Sequence, residues 1–289
     1  LLSENPAYPL DALRFKGELL IALERHGEAR QFYSAILAGK SLPWAKMGLA
    51  QVALHEKDFS EAESLAQDLL AEHPEFLAAY DFLALVQEAQ GHGLAAQETL
   101  QEAARRAPNN SQRQRLVGDL ALQNKDLEVA ERAFGKVLER HRGSSLSSVD
   151  DYTSLSKVQL EKGQPEAARA VLKDLRRDWR GDKRGELAAL VVESMAARQA
   201  GDGEQAGKLV DQALELHRAL LAETENVPIG SSQLAVDLAH VCLENDRQAA
   251  AQNILRQVAS EHHDDFRVIA RIEAVFEKNG QAEAGRALL

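Results

Sequence analysis

Apolar side chains recur along most of this chain at intervals of three and four residues, which is the spacing of one face of an α-helix. Leu65, Leu69 and Leu70 form one such stripe, and Leu100 and Ala104 belong to the next. Ala and Leu supply most of the apolar content, and both residues favour helices over strands. The pattern therefore predicts an all-α chain whose helices each bury one stripe against their neighbours.

The stripes return with a regular period, because Pro74 and Pro108 close two similar segments and lie 34 residues apart. A proline does not continue a helix, so a helix is predicted to end before each of them. One small residue per period opens a second helix, in the series Ala29, Ala62, Ala96, Ala130, Ala168, Ala206 and Ala250. Twelve residues earlier stands another residue, small in every case but the last: Gly17, Ala50, Ala84, Gly118, Ser156, Ser194 and Leu238. Two small positions per period let two helices approach closely, which predicts a helix hairpin.

Glycines and insertions mark where these hairpins turn and where they are joined. Gly91, Gly163 and Gly201 fall between the two helices of a pair, where a residue with positive φ often ends the first helix. Residues 143–146, 181–184 and 224–231 are predicted to form longer loops between hairpins. The first four repeats are therefore regular and the later ones are lengthened by insertion.

A helix-turn-helix period of this length, with small residues at its eighth and twentieth positions, resembles the tetratricopeptide repeat. The third repeat carries the resemblance best, through Tyr80, Leu83, Ala84, Gly91, Ala96, Leu100, Ala103 and Pro108. The resemblance implies an α-α superhelix of about seven helix hairpins with partial repeats at both ends. It also implies a single domain over residues 1–289, regular in residues 1–142 and with longer inter-repeat loops in residues 143–289.

Both ends of the chain look like interrupted repeats. Residues 1–6 are similar to residues 69–74, the end of a second helix, so we expect a piece of a longer polypeptide. Residues 261–265 and 276–280 are similar to the repeat region of bacterial response regulators with an N-terminal receiver domain. That resemblance implies an upstream receiver phosphorylated on aspartate, for which this region would be the partner-recruiting output module.

The charge of the chain bears on which partners it can bind. The net charge of −11 and the sequence pI near 5.4 argue against nucleic acid, which requires a positive surface. Basic residues gather around Trp179, but Asp174, Asp178 and Asp182 are interleaved with them, so a charged helix end is favoured over an anion site. The basic residues of this cluster are Lys173, Arg176, Arg177, Arg180, Lys183 and Arg184.

The sequence carries no sign of a membrane or of an oxidising compartment. Cys242 is the only cysteine, so no intrachain disulfide forms. We expect no membrane span and no signal peptide within these residues, because no apolar run is long enough. A cytoplasmic location is therefore the expectation.

The resemblance to the tetratricopeptide repeat also implies a binding surface, because the first helices of such repeats line the concave side of a superhelix. The second, fifth, ninth and twelfth positions of each first helix point into the groove. The candidate partner-binding residues at such positions are Arg14, Trp44, Met47, Gln51, Asp81, Arg115 and Asp119. Trp44 has two interpretations, a contact with a bound peptide and packing against the preceding hairpin. Arg14 and Glu18 stand where members that grip a C-terminal carboxylate have Lys and Asn, so that mode is not expected.

No group of residues in the sequence has the composition and spacing of a catalytic, cofactor or metal site. His262 and His263 with two neighbouring aspartates are metal-ligand types, but no second cluster completes a shell. Residues 201–208 lack the glycine spacing and the Ser or Thr of a phosphate loop. Cys242 and His240 are two residues apart on a predicted helix and face different ways, so a buried thiol is predicted.

The sequence thus predicts a non-enzymatic protein-interaction scaffold without cofactor or metal. Its expected partner is a protein or peptide, not nucleic acid or membrane, and a homodimer is possible. The more specific hypothesis is the output module of a receiver-domain response regulator in two-component signalling. The alternative is a repeat sensor that binds a signalling peptide or a small ligand and regulates an attached domain.

Overall fold

The computed structural model describes residues 10–144, 146–223 and 232–288, and in these residues the chain forms sixteen α-helices and no strand. Successive helices pair as hairpins, which confirms the predicted all-α repeat fold. The pairs are α1 (Leu10–Ala22) with α2 (His26–Leu37), α3 (Pro43–His55) with α4 (Phe59–Glu72), α5 (Leu77–Ala89) with α6 (Gly93–Arg106), α9 (Val149–Glu161) with α10 (Pro165–Asp178), α11 (Lys183–Gln199) with α12 (Gly203–Glu223), α13 (Ser232–Glu244) with α14 (Gln248–Glu261), and α15 (Phe266–Lys278) with α16 (Ala282–Leu288). In chain order, α7 (Ser111–Gln123) and α8 (Leu127–His141) lie between α6 and α9. The predicted loop at 224–231 and the predicted helix end at residues 1–6 lie outside the described residues.

Close approaches between Cα atoms group the chain into two compact units, Leu1–Asp126 and Leu127–Leu289. We call them the N-terminal unit and the C-terminal unit and describe each by itself. The single domain expected over residues 1–289 stays a prediction. Helices α4 and α6 end at Glu72 and Arg106, two residues before the prolines that were predicted to close them.

In the described residues, eight turns between consecutive helices share one backbone feature. Each contains one residue with positive φ, five positions before the small residue of the second helix: Glu24, Lys57, Gly91, Lys125, Gly163, Gly201, Asp246 and Gly280. The three turn glycines identified in the sequence are confirmed at φ values of 77°, 69° and 83°. Four of the eight turns use a residue other than glycine, although left-handed backbone is costly for any residue with a Cβ atom.

Removing a glycine from one of these turns and introducing a glycine into another are expected to change the free energy of unfolding in opposite directions. Gly163→Ala should lower the free energy of unfolding by about 1 kcal/mol, because a Cβ atom is strained at φ 69°. Lys125→Gly should raise it by about 0.5 kcal/mol, because relief of strain at φ 62° exceeds the added chain entropy of glycine. Urea unfolding followed by circular dichroism measures both, and changes of the same sign would contradict this account of the turns.

The structure corrects the predicted register of the seventh hairpin by one residue. Ala251, not Ala250, is the fully buried small residue of α14, and its N–H donates to the Arg247 carbonyl at 3.1 Å. Twelve positions earlier lies Ala239, which is also buried, so Leu238 is no exception to the small-residue rule. The error arose because residues 249–251 are three consecutive alanines, so residue size alone does not distinguish Ala250 from Ala251.

The predicted loop at 181–184 is also wrong in part. Gly181 lies in a turn at φ 85°, but α11 already begins at Lys183. Asp182 caps this helix, because its Oδ1 accepts the Arg184 N–H at 2.8 Å. The inserted residues thus extend helices, and α11 and α12 reach 17 and 21 residues.

Candidate functional site

The groove positions predicted for the N-terminal unit are reachable by solvent, although most of their helix neighbours are buried. Arg14 on α1 is exposed, and the other candidates are half-buried on α3, α5 and α7: Trp44, Met47, Gln51, Asp81, Arg115 and Asp119. Between them, the small residues Ala50, Ala84 and Gly118 are buried against other helices. One side of each of these three helices therefore remains partly accessible to solvent.

The equivalent positions of the C-terminal unit are filled by the protein itself. Three positions before the small residues Ser156, Ser194 and Ala239 lie Thr153, Val191 and Val236, and all three are buried. Helix α11 packs directly against both α9 and α13. Lys157 of α9 also reaches across to Asp237 of α13, with Nζ 2.7 Å from Oδ2. First helices thus pack on one another here, and these positions are largely buried.

Asp81 is held by a residue that the sequence analysis overlooked. Arg113 of α7 donates from Nε and Nη2 to the two carboxylate oxygens of Asp81, at 2.8 and 2.6 Å. The Arg113 side chain is 6% exposed and that of Asp81 is 34% exposed, and their hydrogen bonding raises the pKa of Arg113. Arg113 stands at the third helix position, where α3 and α5 have the buried alanines Ala45 and Ala79. The sequence could have indicated this contact, because an arginine replaces the small residue at this position and stands 32 residues after Asp81.

Trp44 packs against the preceding hairpin, which was one of its two interpretations. Its ring meets the ring of Tyr33 on α2 edge-on, with centroids 6.3 Å apart at 67°. Burial raises the pKa of Tyr33 to about 12. Met47 is half-buried and packs against the apolar cluster that includes Ala62 and Ala66 of α4. Both side chains stay partly exposed, so they present apolar surface at two of the predicted groove positions.

Arg14 lies apart from this half-buried set. Its Nε contacts Glu18 Oε1 at 2.8 Å within α1, and both side chains are more than half exposed. This ion pair raises the pKa of Arg14. It contributes little to stability, because water screens such exposed pairs.

The basic cluster around Trp179 is a paired helix end. Arg176 contacts Glu186 at 2.9 Å and Glu193 at 2.5 Å. Arg184 contacts its neighbour Asp182 at 2.6 Å and lies 5.5 Å from the centre of the Trp179 ring. Carboxylates thus neutralise these arginines, as the interpretation as a charged helix end predicts.

The other candidate chemistry is likewise accounted for by packing. Cys242 is fully buried, and burial raises the pKa of its thiol to about 12, which opposes nucleophilic behaviour. His240 is buried too, and burial lowers its pKa, while Lys278 Nζ lies 3.0 Å from its Nε2. Gly201 lies in a hairpin turn and Gly203 begins α12, in which Lys208 pairs with Glu204 at 2.6 Å, so residues 201–208 are a turn and the start of a helix. In the described part of the chain, no three His, Cys, Asp or Glu residues are placed to hold a metal ion.

Comparison with known proteins supports a tetratricopeptide repeat fold. The model of the tetratricopeptide repeat family matches residues 53–120. None of the curated proteins matches this sequence significantly. Among the described helices, none has both the length and the apolar character that crossing a bilayer requires.

Solved structures extend the similarity of fold beyond the matched residues. A tetratricopeptide repeat protein from Parabacteroides merdae has a TM-score of 0.60 at 14% identity, covering 92% of this chain and 98% of that one. Yeast Tom70 has a TM-score of 0.55 at 15% identity, covering 98% of this chain and 65% of Tom70. A structure of Naa15/Naa10 bound to HypK-THB has a TM-score of 0.52 at 14% identity, covering 91% of this chain and 39% of that chain. At these identities the comparison establishes the fold alone.

Proposed function

We propose that this chain is a non-enzymatic interaction scaffold that holds a protein or peptide against the first helices of its N-terminal unit. The observation that carries the proposal is the contrast between the two units. The groove positions of α3, α5 and α7 are accessible, whereas those of α9, α11 and α13 are largely filled by neighbouring helices. A partner therefore has an open surface in the N-terminal unit.

The residues of this surface indicate what it would bind. Trp44 and Met47 provide apolar contact area, and a methionine side chain adapts its shape to different partners. Gln51, Arg115 and Asp119 add an amide, a cation and a carboxylate on the next two helices. Such a surface suits a peptide segment with an apolar anchor at one end and charges of both signs beyond it. The Naa15/Naa10 structure bound to HypK-THB is a case in which a protein with a similar fold binds a partner.

We also propose a more specific role, in which the scaffold is the output module of a receiver-domain response regulator. Its support is the resemblance of residues 261–265 and 276–280 to the repeat regions of those proteins. Sequencing the gene upstream of the codon for residue 1 tests this role, because it requires a receiver domain with a phosphorylated aspartate to be encoded there. A DNA-binding or catalytic domain joined to these repeats would instead favour the alternative, a sensor of a signalling peptide or small ligand.

Peptides selected from a random phage-display library against this chain provide a direct test of the surface. The dissociation constant of the best peptide is measured by isothermal titration for the wild type, Met47→Ala and Arg115→Ala. Each variant should weaken binding by about tenfold, the usual effect of removing a significant interface contact. Arg105→Ala is the matched control, because Arg105 lies on the second helix α6 and is exposed.

The two groove variants and the control must behave differently if the proposal is right. Circular dichroism establishes that all three variants keep the helical content of the wild type. If Met47→Ala and Arg115→Ala bind the selected peptides as tightly as Arg105→Ala does, the groove of the N-terminal unit is not the binding surface.

A further inference from the structure

A polar contact recurs where the second helix of one repeat meets the turn of the next repeat. The residue that follows the buried small residue of the second helix contacts the residue that precedes the positive-φ position of that turn. The contact is made by four pairs: Arg30 with Glu56, Glu63 with Gln90, Gln97 with Asn124, and Glu131 with Lys162. A long polar side chain of the second helix thus fills the space beside the next turn.

This space is left open between α12 and the turn that joins α13 to α14. Gly207 follows the buried Ala206, so it has no side chain to place beside Asn245, which precedes the positive-φ residue Asp246. A cleft of about 310 Å³ lies there instead. Gly203, one helical turn before Gly207, also lines the cleft, so its floor is helix backbone without side chains. We call this space the α12 cleft.

Two guanidinium groups reach over the floor of the α12 cleft. A Cβ atom at Gly203 would lie 3.9 Å from Arg198 Nη1, and a Cβ atom at Gly207 would lie 3.9 Å from Arg247 Nη2. The Arg247 side chain is held in place, because its Nε and Nη2 donate to the two carboxylate oxygens of Asp211, both at 2.9 Å. A guanidinium has five N–H groups, so Arg247 keeps further donors for a ligand.

The charges that line the cleft balance, and one group of each sign lacks an ion pair. Three basic and three acidic residues line it. Apart from the ion pair of Arg247 described above, Lys208 contacts Glu204 at 2.6 Å. Arg198 and Asp246 form no ion pair with any residue that the structure describes. A ligand that carries one carboxylate and one ammonium group therefore complements the charge of the cleft.

We propose that the α12 cleft binds a small zwitterion, a free amino acid. Its carboxylate lies over the glycine floor between Arg198 and Arg247, because planar guanidinium groups bind carboxylates through paired hydrogen bonds. Its ammonium group faces Asp246. Glutamine matches the open space, since its side chain is the one with which Gln97 fills the equivalent space beside Asn124. The site belongs to the C-terminal unit and does not depend on the groove of the N-terminal unit.

Two-dimensional ¹H–¹⁵N NMR on the 289-residue chain tests the proposal, because the backbone N–H signals of Gly203 and Gly207 report on the floor of the cleft. L-glutamine should shift both signals with a dissociation constant on the order of 1 mM, since a small ligand makes few contacts. Acetate and methylammonium should each bind at least about tenfold more weakly, because each carries only one of the two charges. Unmoved signals at about 20 mM glutamine, well above that dissociation constant, overturn the proposal. Acetate that binds as tightly as glutamine overturns it too.

Two substitutions change the cleft from opposite sides. Arg198→Gln should weaken glutamine binding about tenfold, because it removes a charged donor. Arg256→Gln is its matched control, because Arg256 on α14 is exposed and lies outside the cleft. Gly207→Gln should abolish glutamine binding by filling the cleft, and it should raise the midpoint of urea unfolding, because glycine disfavours helix. Lost binding in a more stable chain cannot result from unfolding. Glutamine that binds either cleft variant as tightly as the wild type contradicts the proposal.

Discussion

Replacing Gly48 with alanine is expected to destabilise the N-terminal unit by about 3 kcal/mol, the range of a severe core defect. Gly48 lies on α3 where the ring of Tyr33 passes over the backbone. A Cβ atom there would lie 2.7 Å from Tyr33 Cε2 and still closer to Cζ. A Cβ atom at Gly17 on α1 would lie 2.7 Å from Cε1 of the same ring. The ring is thus held between two glycines on different helices.

Tyr33 cannot make room for the added methyl group by rotating. Its side chain is 1% exposed, and the rings of Phe32 and Trp44 contact it edge-on with centroids 5.7 and 6.3 Å away. The strain must therefore separate α3 from α2, which opens the apolar cluster that Ala45 and Val52 share with Phe32. A close-packed interior transmits such a displacement instead of absorbing it.

Urea unfolding of Gly48→Ala and Gly27→Ala measures this effect against a matched control. Gly27 is also a helical glycine of the N-terminal unit, but a Cβ atom there would meet nothing within 4 Å. Gly27→Ala should leave stability unchanged or raise it slightly, because alanine favours helix over glycine. Equal effects of the two substitutions would mean that helix propensity, not contact with Tyr33, decides the outcome.

The hairpins could be predicted from the sequence because each repeats the same local requirements. Small residues twelve positions apart and a turn residue with positive φ recur in nearly every period, so the helices follow from the spacing alone. The prediction was wrong in two places. Residues 249–251 are three consecutive alanines, so the buried small residue of α14 could not be identified by its size, and Asp182 caps a helix within residues that were predicted to form a loop. The second error concerns a helix end, whose position is decided by its cap.

The binding surface was less predictable, because it depends on contacts between helices that are distant in sequence. Family positions located Asp81, but not the buried Arg113 that holds its carboxylate. The same positions in the C-terminal unit are equally polar in places, as Lys157 and His240 show. Only the structure shows that both residues are engaged, because Lys157 contacts Asp237 of α13 at 2.7 Å and His240 lies 3.0 Å from Lys278 of α15. Sequence periodicity predicts which face of a helix is buried, but it does not predict which residues that face contacts.

Lys157→Met is expected to destabilise the C-terminal unit by about 3 kcal/mol, because it leaves the Asp237 carboxylate buried without its cation. The side chains of Lys157 and Asp237 are 16% and 11% exposed, so water replaces the lost contact poorly. Gln233 Nε2 still donates to Asp237 Oδ1 at 2.9 Å, but an amide does not balance the charge. Lys208→Met is the control, because Lys208 is 63% exposed and its ion pair with Glu204 lies in solvent.

A double variant separates the ion pair from the packing around it. Lys157→Met combined with Asp237→Leu removes both charges and leaves apolar side chains between α9 and α13. It should be more stable than Lys157→Met alone by at least about 1 kcal/mol, because no unpaired charge remains buried. If the two substitutions simply add, the charges do not interact across the helices, and the ion pair does not join α9 to α13. Recovery in the double variant would show that apolar packing between α9 and α13 can replace the ion pair.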